Sequence, residues 1–333
     1  MQFFHNTHID FIGKRKFFYI LSIVITVLGL VVAFVRGVEY GIDFEGGTEA
    51  AFEFAKIVPN ESVRAALDNA GFTGEEVKTY GQENRVLIRV KNDKNSTSRN
   101  VNQVSERITA ALVKAFPGNK VKVLKTENLG PKIGEELRYN ALKAVIASII
   151  AILIYISIRF EFLFGLGAII ALVHDVLVAF AFAVIFNGVF GLNLEMNQGL
   201  LAAFLTVVGF SINDTVIIFD RIRENRTLHK NENLLMLMNR SINETLPRTI
   251  NTSLTVALVL VILLVFSGEV LRGFAFTMLI GIITGTYSSI YIASAFVVDA
   301  LIYQKKLDPH AERDFTAQTE KIITERRTAS IRA

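Results

Sequence analysis

The stretch GFSINDTVIIFDRIREN, Gly209 to Asn225, begins inside a membrane-length apolar run and ends in a cluster of charge from Asp220 to Glu224. Among Val207, Val208, Phe210, Val216, Ile217, Ile218 and Phe219 it carries one carboxylate, Asp214. A charged side chain within a spanning helix costs roughly 2.5 to 3.5 kcal/mol on insertion scales, so it normally faces a protein interior and marks an ion or proton path. The plainer reading makes Asp214 a polar clamp bonded to Asn213, Ser211 or a neighbouring helix.

That run is one of several. The 333 residues are 51% hydrophobic with a mean hydropathy of +0.42, and several runs reach the ~20 residues a bilayer helix needs. The chain therefore reads as an α-helical polytopic membrane protein embedded in a lipid bilayer. Its net charge of +4 is modest, and its basic residues flank the apolar runs instead of forming a stripe with aromatics. Nucleic acid is thus excluded as a partner. The absence of cysteine rules out disulfides, thiolate zinc sites and thiol nucleophiles. Neither a Walker loop, nor metal-ligand spacing, nor a nucleophile elbow occurs, so the sequence calls for no metal, no cofactor and no enzyme chemistry. Energy must come from outside the chain, and the membrane potential supplies ~2.3 kcal/mol per charge per 100 mV.

Outward from Asp214, the pattern gives six transmembrane helices and one polar domain. Residues 1–16 end in Lys14, Arg15 and Lys16, a flank the positive-inside rule places in the cytoplasm. The first helix, 17–35, is too long for a signal-peptide core and is followed by Arg36, Gly37 and Glu39, so it is retained. Residues 36–138 form an extracytoplasmic domain, opened by the glycine-broken segment GIDFEGGT, Gly41 to Thr48, with Gly46 and Gly47 at its turn. Within it the periodicity predicts strands at Glu49–Phe54, Val77–Tyr80, Arg85–Lys91 and Lys120–Leu124, and helices at Glu61–Ala70 and Val101–Phe116. The order β-α-β-β-α-β is an α+β ferredoxin-like arrangement lying between helices 1 and 2, with a turn predicted at Gly81–Asn84.

Helices 2 to 6 fill residues 139–303: Ala141–Ile158, Phe162–Phe186, Gln198–Phe219, Arg248–Phe266 and Phe274–Ile302. The loop Asn187–Asn197 has no Lys or Arg, whereas Arg221, Arg223, Arg226 and Lys230 follow the fourth span, which sets that loop outside and both termini in the cytoplasm. Asn231–Leu246 is amphipathic and reads as a helix along the inner membrane surface. Lys305 and Lys306 anchor the last helix ahead of a polar cytoplasmic tail, 304–333.

Three further features bear on chemistry. Asp175, in ALVHDVLV, lies about thirteen residues or ~20 Å into its helix, well inside the hydrocarbon, as a packing hydrogen bond or as a participant in ion movement. His174 points about 100° away from it, so the two do not automatically form a relay. Arg248, in LPRTINTSLT, reads either as an interfacial snorkelling anchor or as the partner of Asp214. Gly281 and Gly285, with Ser289 a turn further, form a small-residue stripe suited to close helix packing.

Taken together, GIDFEGGT, ALVHDVLV, VGFSINDTVIIFDRIREN, NETLPRTINTSLT and LRGFAFTMLIGIITGTYSSIYIAS closely resemble the SecF family of protein-export membrane proteins, within the SecD/SecF group of the resistance-nodulation-division superfamily. The resemblance spans nearly the whole chain, and the fourth-helix motif, with Gly209, Asn213 and Asp214, is its most specific part. It implies a six-helix half-transporter in the bacterial cytoplasmic (inner) membrane that pairs with SecD around a pseudo-two-fold axis. With the Sec translocon channel, that complex assists export of unfolded preprotein substrates using the proton motive force. By the same resemblance Asp214 matches the proton-pathway acid of the fourth helix, Arg248 the basic residue that works with it, and Asp175 the acid of the third-helix His-Asp pair. Glu45 stands where Thr is common in the family, in the outer segment and away from that route. Carboxylate and hydroxyl oxygens serve either protons or sodium. A small-molecule or lipid exporter and a passive scaffold of the Sec channel are the alternative readings; the single half with its small outer domain argues against the first and two buried acids against the second.

Overall fold

The computed structural model describes residues 7–72, 75–90, 101–229 and 232–304. Lys91, Lys230, Lys305, Lys306 and the charged tail from Asp308 lie outside the described residues. Six helices among them are long and apolar enough to cross a membrane. The first is α1, Arg15–Arg36. A single-turn helix α2, Ile42–Glu45, leads into strand β1, Gly47–Phe54, through Gly46 and Gly47 at φ 73° and 133°, values that glycine adopts without a Cβ penalty. The domain continues with α3 (Asn60–Asn69), β2 (Glu76–Tyr80), β3 (Gln82–Val90), α4 (Val101–Ala115) and β4 (Val121–Leu129).

The four strands pair antiparallel in the order β2-β3-β1-β4, with β1 flanked on both sides. This is the β-α-β-β-α-β arrangement read from the sequence. Alternation along β1 sends Ala50, Phe52 and Phe54 to a core shared with Val63 and Leu67 of α3 and Ile108 and Leu112 of α4. The opposite face carries Glu49 and Glu53 directly across from Arg89 and Arg85. Two boundaries differ from expectation. The β2–β3 turn contracts to Gly81, at φ 72°, because Tyr80 already pairs with Gln82. Strand β4 runs five residues beyond Leu124, since the whole of β1 as far back as Gly47 is available to pair with it.

The remaining spans are α5 (Pro131–Arg159), α6 (Phe162–Phe186), α7 (Gln198–Leu228), α8 (Leu234–Phe266) and a last span through Tyr303. That last span consists of α9 (Glu269–Ser288), a π-helical turn at Ser289–Ser294 and α10 (Ala295–Tyr303). Helices α6, α7 and α9 supply most of the buried interior, whereas α1 and α5 expose most of their apolar surface, as lipid-facing helices do. Gly281 and Gly285 of α9 lie against Val207 and Ser211 of α7, so the small-residue stripe does permit close approach.

The surface-helix reading of Asn231–Leu246 is corrected. From Leu234 this segment is the first half of the continuous helix α8, which passes through Pro247. Its apolar side, Leu235, Leu237, Met238, Ile242 and Leu246, is buried in the bundle with Phe11 and Ile12 instead of facing lipid. The physical cause is a pair of asparagines one turn apart. Asn239 Oδ1 accepts from Phe11 N at 2.9 Å, Asn243 Oδ1 accepts from Ile9 N at 2.9 Å, and both amides donate to Ile9 O at 3.0 and 2.9 Å. They satisfy the backbone of the extended chain ahead of α1 and hold it over that apolar side.

Candidate functional site

Asp214 and Asp175 are both fully buried, at 0% exposure. They sit on neighbouring helices α7 and α6, and both are reached by hydroxyls of α9. Asp175 Oδ2 accepts from Ser211 at 2.5 Å and from Ser288 at 2.7 Å. Its Oδ1 lies 3.0 Å from His174 Nδ1. Sequence neighbours on a helix diverge by 100°, yet the His174 side chain reaches back to Asp175, so the two are in contact. Four other residues touch neither acid in this arrangement: Asn213 and Gly209 face outward on α7, and Gly46 and Gly47 belong to the joint between α2 and β1.

Asp214 is more sparsely held. Its Oδ2 accepts from Thr286 Oγ1 of α9 at 3.3 Å and from Ser253 Oγ of α8 at 3.5 Å, and these two hydroxyls are 2.5 Å apart. Its Oδ1 is buried with no hydrogen-bond partner among the described residues. The clamp is therefore made by neighbouring helices; Asn213 and Ser211 do not contribute to it. Because Ser211 lies three residues before Asp214, about one turn away on α7, the two acids and their hydroxyls form one polar seam in two parts: Asp175 with Ser211 and Ser288, and Asp214 with Thr286 and Ser253.

Arg248 does not pair with Asp214. It lies exposed on α8, and its charge reaches Asp214 only through space. Helical geometry explains this: Arg248 precedes Ser253 by five residues, which turns it about 140° from the face that offers Ser253 to Asp214. Thr249, four residues before Ser253, occupies the inward face instead and is buried. The charged end of α7 forms local ion pairs, with Asp220 accepting from Arg159 at 2.8 and 2.9 Å and Arg221 bonding both Glu224 and Glu244.

A second polar centre went unread in the sequence. At the junction of the sheet with the α6–α7 loop, Arg89 of β3 is 4% exposed and binds Glu195 of the loop, Glu49 of β1 at 2.9 Å and Glu76 of β2 at 2.9 Å. Lys78 of β2 binds Glu195 at 2.8 Å, Glu39 at 2.5 Å and Glu76 at 3.1 Å. Burial works against the charged forms of Lys78 and Arg89, but the carboxylates around them, Glu195 foremost, outweigh it and raise both pKa values. Burial likewise opposes the Glu39 carboxylate, yet the bond from Lys78 and its charge hold that group below its usual value, whereas burial prevails at Glu49 and raises it. The alternation of Glu49 and Glu53 on β1 against Arg85 and Arg89 on β3 was the available signal, though nothing local pointed to Glu195.

Comparison with known proteins agrees with this architecture. Residues 108–302 match the family described as protein export membrane protein SecD/SecF, C-terminal, and residues 31–56 match the SecD/SecF GG motif. A protein translocase subunit SecF of Rhodothermus marinus is 43% identical over 299 residues, covering 90% of this chain and 95% of the relative. One of Calditerrivibrio nitroreducens is 41% identical over 295 residues, covering 88% and 94%. The crystal structure of SecDF, a translocon-associated membrane protein from Thermus thermophilus, superposes with a TM-score of 0.78 at 37% identity, over 90% of this chain. The chain spans 39% of that longer protein. A further SecDF structure, in a super-membrane-facing form, superposes with a TM-score of 0.64 at 35% identity, over 91% of this chain and 40% of that one. With both family regions matched and near full-length relatives above 40% identity, the chain belongs to the SecD/SecF family of protein-export membrane proteins.

Proposed function

We propose that this chain is the ion-conducting half of a translocase that works with SecD beside the Sec channel, using the proton motive force to assist passage of unfolded preproteins. The observation that carries the reading is the seam of two fully buried carboxylates, each held by hydroxyls from neighbouring helices. A scaffold gains nothing from such a seam, because each acid must be placed against the cost of desolvation.

The chemistry follows from donor counts. An ionised carboxylate only accepts, so Asp214 takes bonds from both Thr286 and Ser253 and ties α7 to α9 and α8. Once protonated on Oδ1, which is buried without a hydrogen-bond partner among the described residues, it loses the charge that draws both hydroxyls to Oδ2. Uptake of a proton thereby weakens the hold of α7 on α8 and α9. The proton enters and leaves down the membrane potential, ~2.3 kcal/mol per charge per 100 mV, and the sheet domain follows the helix displacement to hold or free the emerging chain.

Lys14 ahead of α1 with Arg15 and Lys16 in its first turn, Arg159 at the end of α5, and Arg221, Arg223 and Arg226 at the end of α7 all support one orientation, against a Lys- and Arg-free loop from 187 to 197. In this reading both termini lie in the cytoplasm and the sheet domain lies outside the bacterial inner membrane.

The test is ion uptake into proteoliposomes holding this chain with SecD, followed with an internal pH dye under an imposed potential. Native protein acidifies the lumen and Asp214→Asn does not. Equal uptake by both, or uptake that requires sodium alone, refutes the proton assignment.

A further inference from the structure

The export reading above uses α7 as the moving part and the sheet domain as the part that meets polypeptide, yet residues that join them have no stated role. We propose that Arg89 and Glu195 lock the sheet domain, the segment Glu39–Gly47 and the N-terminal end of α7 into one rigid lever, so that displacement at Asp214 is delivered undiminished to the sheet. The proposal rests on that reading for its purpose, but its geometry is independent of which ion moves.

Three sets of contacts build the lever. The first is backbone: Tyr40 bridges Met196 in parallel, with Gly41 N donating to Met196 O and Met196 N to Glu39 O, both at 2.8 Å. The second fixes α7 itself, where Asp43 Oδ2 accepts from Gln198 N at 2.8 Å, at the first residue of that helix. The third is the charge cluster. Glu195, 2% exposed and three residues ahead of α7, holds Arg89 of β3 with one carboxylate oxygen and Lys78 of β2 with the other. Arg89 also donates to Tyr40 O at 3.1 Å, so a single guanidinium touches the sheet, the strap after α1 and the loop before α7.

Rigidity is the expected consequence. A guanidinium that is 4% exposed and holds three carboxylates and a carbonyl in fixed directions cannot rotate without leaving a buried charge unpaired. The glycine motif completes the lever. A Cβ on Gly134 of α5 would lie 3.1 Å from Gly46 N and 3.3 Å from the Phe44 carbonyl, so α5 clamps the same turn from its other side. From that turn Gly47 leads directly into the central strand β1. Arg89 and Glu195 are positioning residues in this scheme, since neither touches the acids of the seam.

The chain has no cysteine, so two spin labels report without background. They are placed at the exposed positions Arg64→Cys on α3 and Ala202→Cys on α7, in the full chain reconstituted in lipid. Pulsed dipolar spectroscopy then gives the spread of sheet-to-α7 distances. One narrow distance is expected for the native cluster, with loss of that narrow distance in Glu195→Gln and Arg89→Gln. The double variant is no broader than either single one, because both remove the same lock. Lys78→Gln, at the half-exposed edge, folds even if the other two do not, and broadens the distribution less. A narrow distance retained in Glu195→Gln and Lys78→Gln, or a broad one in the native chain, overturns the lever. Because no ion gradient or substrate is present, failure of the proton assignment leaves this result unaffected.

Discussion

The close approach of α7 and α9 sets the geometry of the whole seam, and glycine substitutions on the two helices test it with opposite expected signs. At Gly281 an added Cβ overlaps Val207 Cγ2 and lies 2.7 Å from its Cγ1 and 3.0 Å from its Cβ. Since two of the three staggered γ sites are that close and a valine's two methyls always fill at least one of them, no rotamer relieves the clash, and the helices must separate. Overpacking of this kind costs about 1 to 3 kcal/mol, against a helix-propensity gain of at most ~1 kcal/mol for Gly→Ala. Gly281→Ala is therefore destabilising by up to about 2 to 3 kcal/mol. Gly209 of α7, with no atom within 4 Å of its notional Cβ, keeps only the gain, so Gly209→Ala is neutral or stabilising by up to ~1 kcal/mol. Adding Val207→Ala to Gly281→Ala removes the overlapping methyls, and the pair recovers with a coupling of about 1 to 2 kcal/mol. Equilibrium unfolding in mixed micelles, followed by far-ultraviolet circular dichroism because the chain has no tryptophan, measures all three. Equal behaviour of Gly281→Ala and Gly209→Ala, or strict additivity with Val207→Ala, refutes the packing argument.

Asn239→Ala removes bonds to Ile9 O, Phe11 N and Ile12 N. At about 1 kcal/mol net per bond, it destabilises by roughly 3 kcal/mol and speeds proteolysis ahead of α1 without cutting the bundle; unchanged cleavage there contradicts the hold of Asn239 on that segment. Glu39 has a folded pKa held below its ordinary 4.5, so its contribution is complete above that value and is lost as pH falls through the folded pKa. The thermal stability gap between native protein and Glu39→Gln accordingly closes below about pH 4.5, and a gap that stays constant to pH 3 contradicts the Lys78 assignment.

Much of the fold is legible because its signals are periodic and local. Alternation at Ala50, Phe52 and Phe54, and apolar runs of bilayer length, are properties of short windows. Where reading stops, the deciding partner is distant. Pro247 resembles a helix start, since proline is favoured at the first helical position, yet α8 runs through it because burial of Leu235 to Leu246 against the bundle and the strap at Ile9–Ile12 rewards continuity. Asp214 announces itself by its setting, but its partners lie 39 and 72 residues away, so the sequence offers Arg248 as one candidate partner and gives no sign of Thr286. The Arg89 and Glu195 lock is hidden for the same reason, with 106 residues between its halves. Lone polar residues in apolar runs are visible from sequence; what they bond to is set by which helices come together.

The most direct test of ion coupling is precursor export in inverted membrane vesicles containing SecD and the Sec channel, comparing native protein with Asp214→Asn while a proton gradient is imposed or dissipated. Native vesicles should export faster with the gradient, and the variant should export at the dissipated rate under both conditions. A variant that is stimulated as fully as the native protein contradicts the account and returns Asp214 to a packing role.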